Sequence, residues 1–356
     1  MINGHGGNIY DMAQQLGCAP SEITDMSSNV NPLGPPPGLT AFLRENMDAI
    51  ISLPEVDAKN AIYAFARRYD IDPHLVLAGN GTTQFIYTIP LALESRKACI
   101  LGPTYSDYAD ACVMHNVSHE FLIAGESLGF KPDISRIQKD MEGSDTVFIC
   151  NPNNPTGVLI PADELEQLCG SHPGTYFVID ESYLPFVNSG DEQSMMGRGL
   201  PNVIILNSMS KIFRVPGLRI GFLVSPENMI ERFMRYVLPW SVNSLAQVAV
   251  SYLMGQKAET DAFIEKTRVF LKAERSRFEE TLINASGIKF FPSTTSFMLA
   301  RLSGNHTAHE VFSNLSHDRI LIRDCSNFRG LSDRFIRISL KTRDINTVLA
   351  EKLLSL

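Results

Sequence analysis

The sequence predicts an α/β protein: a large unit built on a mainly parallel seven-stranded sheet, joined to a smaller α+β unit. Three observations carry this. Between about residues 75 and 224, seven short apolar runs alternate with helical stretches. The runs are apolar on both sides, as strands must be when helices cover both faces of a sheet. Beyond about residue 245 the alternation gives way to one long charged helix and four strand-like pieces. Strands that alternate with helices pair in parallel, and such sheets gather ligands at the loops after their strand ends.

In chain order, the first 40 residues read as loop, because Asn29-Val30-Asn31-Pro32-Leu33-Gly34-Pro35-Pro36-Pro37-Gly38 fits neither helix nor central strand. Helices are expected over 39–51 and 58–69. Strands are expected at 75–77, 98–101, 120–123, 146–150, 176–179, 203–206 and 220–224. The uncharged run 236–256 carries Pro239, Ser241 and Asn243, so it reads as a loop and a buried helix rather than a membrane span. A charged helix follows over 260–282, then strands at 288–291, 296–301, 320–323 and 335–340, with helices near 308–316 and 343–354. The large unit is placed at 39–245, and the small one at 246–356 together with the arm 1–38.

Composition narrows the function classes. With 31 basic and 39 acidic residues in 356, the net charge of −8 argues against nucleic acid as a partner. The cysteines at 18, 99, 112, 150, 169 and 325 form no CxxC pair, so neither a disulfide framework nor a metal site is indicated. The start lacks the basic and apolar stretches of a signal peptide, and the expectation is a cytoplasmic chain without membrane contact.

Five segments carry chemistry. Ser208-Met209-Ser210-Lys211-Ile212-Phe213-Arg214-Val215-Pro216-Gly217-Leu218-Arg219 follows the run 203–206. A lysine placed there can form a Schiff base with an aldehyde cofactor, and Arg219 with the hydroxyls can bind a phosphate. Cys150-Asn151-Pro152-Asn153-Asn154-Pro155-Thr156-Gly157 offers an amide donor after another strand. In Val178-Ile179-Asp180-Glu181-Ser182-Tyr183 an acid ends an apolar strand, which is costly without a partner. A protonated pyridine nitrogen would be one partner and a salt bridge another. Ala78-Gly79-Asn80-Gly81-Thr82-Thr83-Gln84 opens a helix as an anion cradle does. Gly102-Pro103-Thr104-Tyr105 supplies an aromatic that can stack on a flat ring. Singly, each also has an ordinary reading as a turn, a cap or core.

In this order and spacing the segments resemble the fold type I pyridoxal-phosphate enzymes, the aspartate aminotransferase superfamily, over nearly the whole chain. The resemblance implies that pyridoxal 5'-phosphate is bonded to Lys211, with Asp180 at its pyridine nitrogen and Asn154 and Tyr183 at its O3′. Tyr105 would stack on the ring. Gly81, Thr82, Thr83, Ser208, Ser210 and Arg219 would cradle the cofactor phosphate. Arg337, in Phe335-Ile336-Arg337-Ile338, looks like the arginine that grips a substrate α-carboxylate, a task suited to a guanidinium fork. A homodimer with sites at the subunit interface is implied as well.

Three further segments, His5-Gly6-Gly7-Asn8, residues 29–34 and Pro239-Trp240-Ser241-Val242-Asn243, resemble the threonine-phosphate decarboxylase branch. That branch implies a small phosphorylated amino acid substrate, decarboxylated to an amino-alcohol phosphate for cobalamin synthesis. The alternatives are L-serine O-phosphate as substrate, a histidinol-phosphate-type aminotransferase, and a catalytically silent relative. Candidates for the substrate phosphate are His5, the backbone of Gly6 and Gly7, Asn31 and Arg323. Two residues depart from the histidinol-phosphate pattern. Leu53 stands where a tyrosine reaches the partner subunit's cofactor, and Arg214 where a small or apolar residue is expected.

Overall fold

The computed structural model describes residues 6–355. The chain begins with α1 (Ile9–Leu16), β1 (Thr24–Asp25), α2 (Leu39–Glu45) and α3 (Lys59–Tyr69). Then come β2 (Val76–Gly79), α4 (Gly81–Ala92), β3 (Lys97–Gly102), α5 (Asp107–Met114), β4 (Ser118–Ile123), α6 (Ile134–Asp140), β5 (Thr146–Cys150), α7 (Ala162–Gly170) and β6 (Tyr176–Asp180). Next are β7 (Val203–Ser208), α8 (Met209–Ile212), β8 (Gly221–Val224), α9 (Glu227–Met234), α10 (Ser244–Gly255) and α11 (Lys257–Thr281). The chain closes with β9 (Ile288–Phe290), β10 (Phe297–Leu302), α12 (Ala308–His317), β11 (Ile320–Leu321), β12 (Arg323–Asp324), β13 (Phe335–Ser339) and α13 (Arg343–Leu353).

Seven strands form one sheet in the order β2-β8-β7-β6-β5-β3-β4. All its pairings are parallel except those of β8, which runs antiparallel to both β2 and β7. The central strands β5 and β6 are buried along their whole length or nearly so, which is why their sequences are continuously apolar. Register brings the C-terminal ends of β5, β6 and β7 side by side: Cys150 faces Asp180, and Asp180 faces Leu206. Three chemical segments of the sequence therefore leave the sheet at one edge.

A second, antiparallel sheet has the order β12-β13-β10-β9. Arg337 on β13 is flanked by Leu299 on β10 and Arg323 on β12. Among the described residues, no helix is long and apolar enough to cross a membrane.

Three expectations need correction. The first 40 residues are not all loop. Asn8 caps α1 through its side chain and Gly17 ends it in a left-handed conformation. Met12 and Ala13 then pack on Ile23 and Leu321, and β1 pairs with β11. The helix expected over 39–51 stops at Glu45, because Asn46 turns its side-chain amide onto the Phe42 carbonyl (2.8 Å) and competes with the helical ladder. The strand expected over 320–323 is two short strands, since β11 serves β1 while β12 serves β13.

Candidate active site

A cavity of about 100 Å³ opens at the ends of β5, β6 and β7. Lys211, Asp180, Tyr183, Asn154 and Tyr105 line it, as do Gly81, Thr82, Thr83, Ser208, Ser210 and Arg219. Helix α4 begins at Gly81, whose φ of +72° suits glycine. A Cβ there would stand 2.6 Å from the Arg219 guanidinium, and one on Gly221 would stand 2.5 Å from the Thr82 amide. The two glycines thus let a cation approach the first turn of a helix. The buried Ser210 hydroxyl beside them has no partner among the described residues. An unpaired donor, a guanidinium and helix-terminal amides converging on one point fit a phosphate.

Asp180, which lines the same cavity, is buried. Its Oδ2 accepts from the Tyr108 hydroxyl (2.8 Å) and its Oδ1 from the Ser182 amide (2.9 Å). Burial raises its pKa above the usual carboxylate value, a cost that a cationic ring nitrogen would offset. The residues present therefore fit pyridoxal phosphate: Gly81, Thr82, Ser210 and Arg219 would hold its phosphate, and Asp180 would face its pyridine nitrogen. When bound, that cofactor supplies an aldehyde that condenses with amines and a protonated ring that draws electrons from a substrate Cα. Tyr108 was absent from the sequence reading. The signal for it was an aromatic three residues after Tyr105, on the first turn of α5.

Lys211, half-buried, sits on α8 directly after β7. Desolvation first, then the guanidinium groups of Arg337 and Arg219, push its pKa down to about 8. A neutral amine is the nucleophile. The rate at which visible absorbance grows on adding pyridoxal phosphate to apoprotein is therefore expected to rise with pH and level off above about pH 8. A rise that continues to about pH 10 would mean that the surroundings leave this lysine unshifted.

Lys211, Asn154, Tyr183 and Tyr105 also line a second, larger cavity of about 1040 Å³. Arg337 is buried in its wall. It donates through one Nη to Asn154 Oδ1 and through the other to the Ser27 carbonyl (2.6 Å), and it lies over the Phe297 ring. Its Nε has no partner among the described residues. Asn154 accepts from Arg337 through its oxygen, so its amide NH2 is turned elsewhere and remains a donor. Arg323 donates to Asn327 (2.6 Å), stacks over Phe328 and lines the same cavity. Gly6 fits between the two arginines, since a Cβ there would be 3.3 Å from the Arg323 side chain and 3.6 Å from Arg337.

Two substrate-phosphate candidates have polar groups engaged within the protein. Asn31 is fully buried away from the cavity; its amide donates to the Ile212 carbonyl and Thr267 hydroxyl (both 2.8 Å), and its oxygen accepts from the Leu33 amide. Gly7 spends its amide on the Ser27 hydroxyl (2.7 Å). His5 lies outside the described residues. Asn29, two positions before Asn31, is the one that meets the site: its amide donates to the Tyr183 hydroxyl (3.3 Å) and its oxygen accepts from Ser339 (2.7 Å). Arg214 lines the larger cavity and donates to the carbonyls of Asn31 and Pro32 (3.3 Å each).

The fold and this site define a pyridoxal-phosphate-dependent enzyme with the aminotransferase fold. Residues 21–353 match the model for aminotransferase class I and II, and the chain belongs to that family. It is 31% identical to threonine-phosphate decarboxylase of Salmonella typhimurium, over 95% of this chain and 92% of that one. It is also 31% identical, over 96% of its length, to the adenosylcobalamin biosynthesis bifunctional protein CobDQ of Leptospira interrogans, of which it spans 40%. The crystal structure of L-threonine-O-3-phosphate decarboxylase from Porphyromonas gingivalis superposes with a TM-score of 0.83 at 30% identity, covering 94% of this chain and 99% of that one. Histidinol-phosphate aminotransferase from Clostridium acetobutylicum gives 0.85 at 27% identity, covering 94% and 98%.

Proposed function

We propose that this chain decarboxylates L-threonine O-3-phosphate to (R)-1-amino-2-propanol O-2-phosphate, in cobalamin synthesis. One observation carries the reading. The cavity that holds Lys211 and the buried Arg337 is also lined by Arg214, Arg323, Arg329 and Lys341, against the acids Asp25 and Asp110. A substrate with a carboxylate for Arg337 and a separate phosphate for the remaining cations matches that charge pattern. The higher identity to threonine-phosphate decarboxylases supports the same choice.

The residues divide the work. Arg337 fixes the carboxylate and so decides which bond at Cα faces the ring. Asp180, held in place by Tyr108 and Ser182, would keep a proton on the pyridine nitrogen of the bound cofactor. The Lys211 amine would return a proton to Cα. Asn29 and Asn154 hold Tyr183 and the arginine in register. Gly6 and Arg323, which lie by Arg337, are the proposed phosphate contacts, and His5 is kept as a candidate from the sequence.

We further propose a cytoplasmic homodimer, with 39–245 as its large domain and the remainder as the small one. Ile50, Ile51, Leu53, Val56, Leu238 and Trp240 are exposed, and the Trp240 amide donates to the Val56 carbonyl (2.9 Å), joining the two segments into one apolar surface. Asn80 ties that surface to the cofactor loop through the Ser241 carbonyl (3.3 Å). Leu53 serves such an interface by burying apolar area, not by bonding a partner's cofactor.

The deciding experiment measures CO2 release from L-threonine O-3-phosphate with pyridoxal phosphate and no keto acid, with L-serine O-phosphate run beside it. Release with formation of the aminopropanol phosphate is the expected result. Glutamate formation from histidinol phosphate and 2-oxoglutarate, without CO2, would instead assign the aminotransferase reaction, which the structural similarity to the Clostridium enzyme keeps as the second reading.

A further inference from the structure

Lys341 is a buried cation that neither the cofactor nor the carboxylate uses. It follows β13 by two residues and is only 6% exposed. Its backbone is clamped: the Lys341 amide donates to Asn346 Oδ1 (2.7 Å), and the Asn346 amide returns to the Lys341 carbonyl (2.8 Å). Asn346 is itself held by the buried Glu274 (3.0 Å). Arg337, Ser339 and Lys341 alternate along an extended segment, so all three side chains leave on the same face. That face is the wall of the larger cavity, which Arg337 and Lys341 both line.

The ammonium is compensated only in part, by the carboxylate of Asp25. It donates to a neutral acceptor, the Ser28 carbonyl (3.0 Å). Asp25 Oδ1 already accepts from the Ser27 amide and hydroxyl and the Ser28 amide, so this carboxylate divides its charge between those donors and Lys341. Burial first pushes the lysine's pKa down to about 8, against the opposing charge of Asp25, and Arg214 and Arg337 add like charge from the neighbouring loop and strand. A desolvated ammonium with spare donors and cationic neighbours is costly to bury. An anion arriving in the cavity removes that cost.

We propose that Lys341 is a specificity-determining residue, whose ammonium takes the phosphate of a phosphorylated amino acid whose carboxylate sits on Arg337. This rests on the substrate reading above. It adds a cation that a neutral side chain at the same place would not provide, and so separates phosphorylated from unphosphorylated amino acids.

The test uses holoenzyme and reads binding through the change in cofactor absorbance. Dissociation constants are measured for O-phospho-L-threonine and L-threonine with wild type, Lys341→Met and Lys341→Arg. The Met variant is expected to bind the phosphorylated ligand roughly 10- to 100-fold more weakly, the span of a charged hydrogen bond, with L-threonine unchanged. The Arg variant keeps the preference. Ligand-free Lys341→Met is expected to melt no lower than wild type, because a buried charge compensated only in part has been removed. Equal losses for both ligands, or a sharp fall in melting temperature, would assign Lys341 to holding Ser28 and overturn the proposal. A wild type that prefers the phosphorylated ligand, with that preference intact in Lys341→Met, overturns this proposal alone. A wild type without any preference overturns the substrate reading and this proposal together.

Discussion

Lys211→Ala protein is expected to stay colourless with pyridoxal phosphate and to turn over at least about 1,000-fold more slowly than wild type. Lys211 is the one amine among the described residues that line the cofactor cavity, so no neighbour can take over the bond. The loop around it does not depend on the side chain: the Asn31 and Arg214 amides both donate to the Lys211 carbonyl (2.9 and 3.4 Å). Removing the side chain takes away a desolvated amine rather than a hydrogen-bond partner, so the melting temperature of the apoprotein should not fall. Absorbance titration and a melting curve on the same sample separate loss of chemistry from loss of fold. A Lys211→Ala variant that still colours, or still turns over near the wild-type rate, would show that this amine does not hold the cofactor.

The seven strands of the large sheet were legible because burial on both faces leaves little choice of residue: β5 is Thr-Val-Phe-Ile-Cys and β7 opens with Val-Ile-Ile-Leu. The direction of β8 was not legible, since an apolar run looks the same read either way and only its pairing with β2 and β7 reveals the reversal. Helix α1 was hidden for a different reason. Eight residues make a weak periodic signal, and what stabilises it is the distant Leu321.

Within the site, the motifs after β5, β6 and β7 carried their own positions, because the ends of parallel strands lie together whatever else the chain does. The segment 29–34 did not. Its sequence marks it as belonging to the site but not which asparagine faces inward, and side chains two apart were settled by contacts with Tyr183 in one case and Ile212 and Thr267 in the other. Those partners lie between 154 and 236 residues away in sequence, beyond any local pattern. Lys341 was missed for the same reason: alone in sequence it is a lysine before a helix, and only its burial against Ser28 gives it meaning.

Arg337 is where the two sheets meet chemically, and its replacement should separate two ligands that differ by one carboxylate. One end of the guanidinium reaches Asn154 on the loop after β5, and the other reaches the Ser27 carbonyl of the N-terminal arm (2.6 Å). Burial lowers its pKa from the usual arginine value, but a guanidinium stays charged even so. Loss of a buried, hydrogen-bonded charge contact costs about 2–5 kcal/mol, so Arg337→Ala should lower kcat/KM for the carboxylated substrate about 30- to 4,000-fold. Arg337→Lys should recover only part of this, since an ammonium cannot reproduce the two-armed fork. The product amine carries the phosphate but no carboxylate. Its dissociation constant, read from cofactor absorbance, should change far less than that of the substrate. If both ligands weaken equally, Arg337 serves mainly to brace Asn154 and Ser27, and the carboxylate must be held elsewhere. If only the carboxylated ligand weakens, the same guanidinium that joins the two sheets also orients the bond to be broken. One contact between the small sheet and the large one would then also set the choice of the scissile bond.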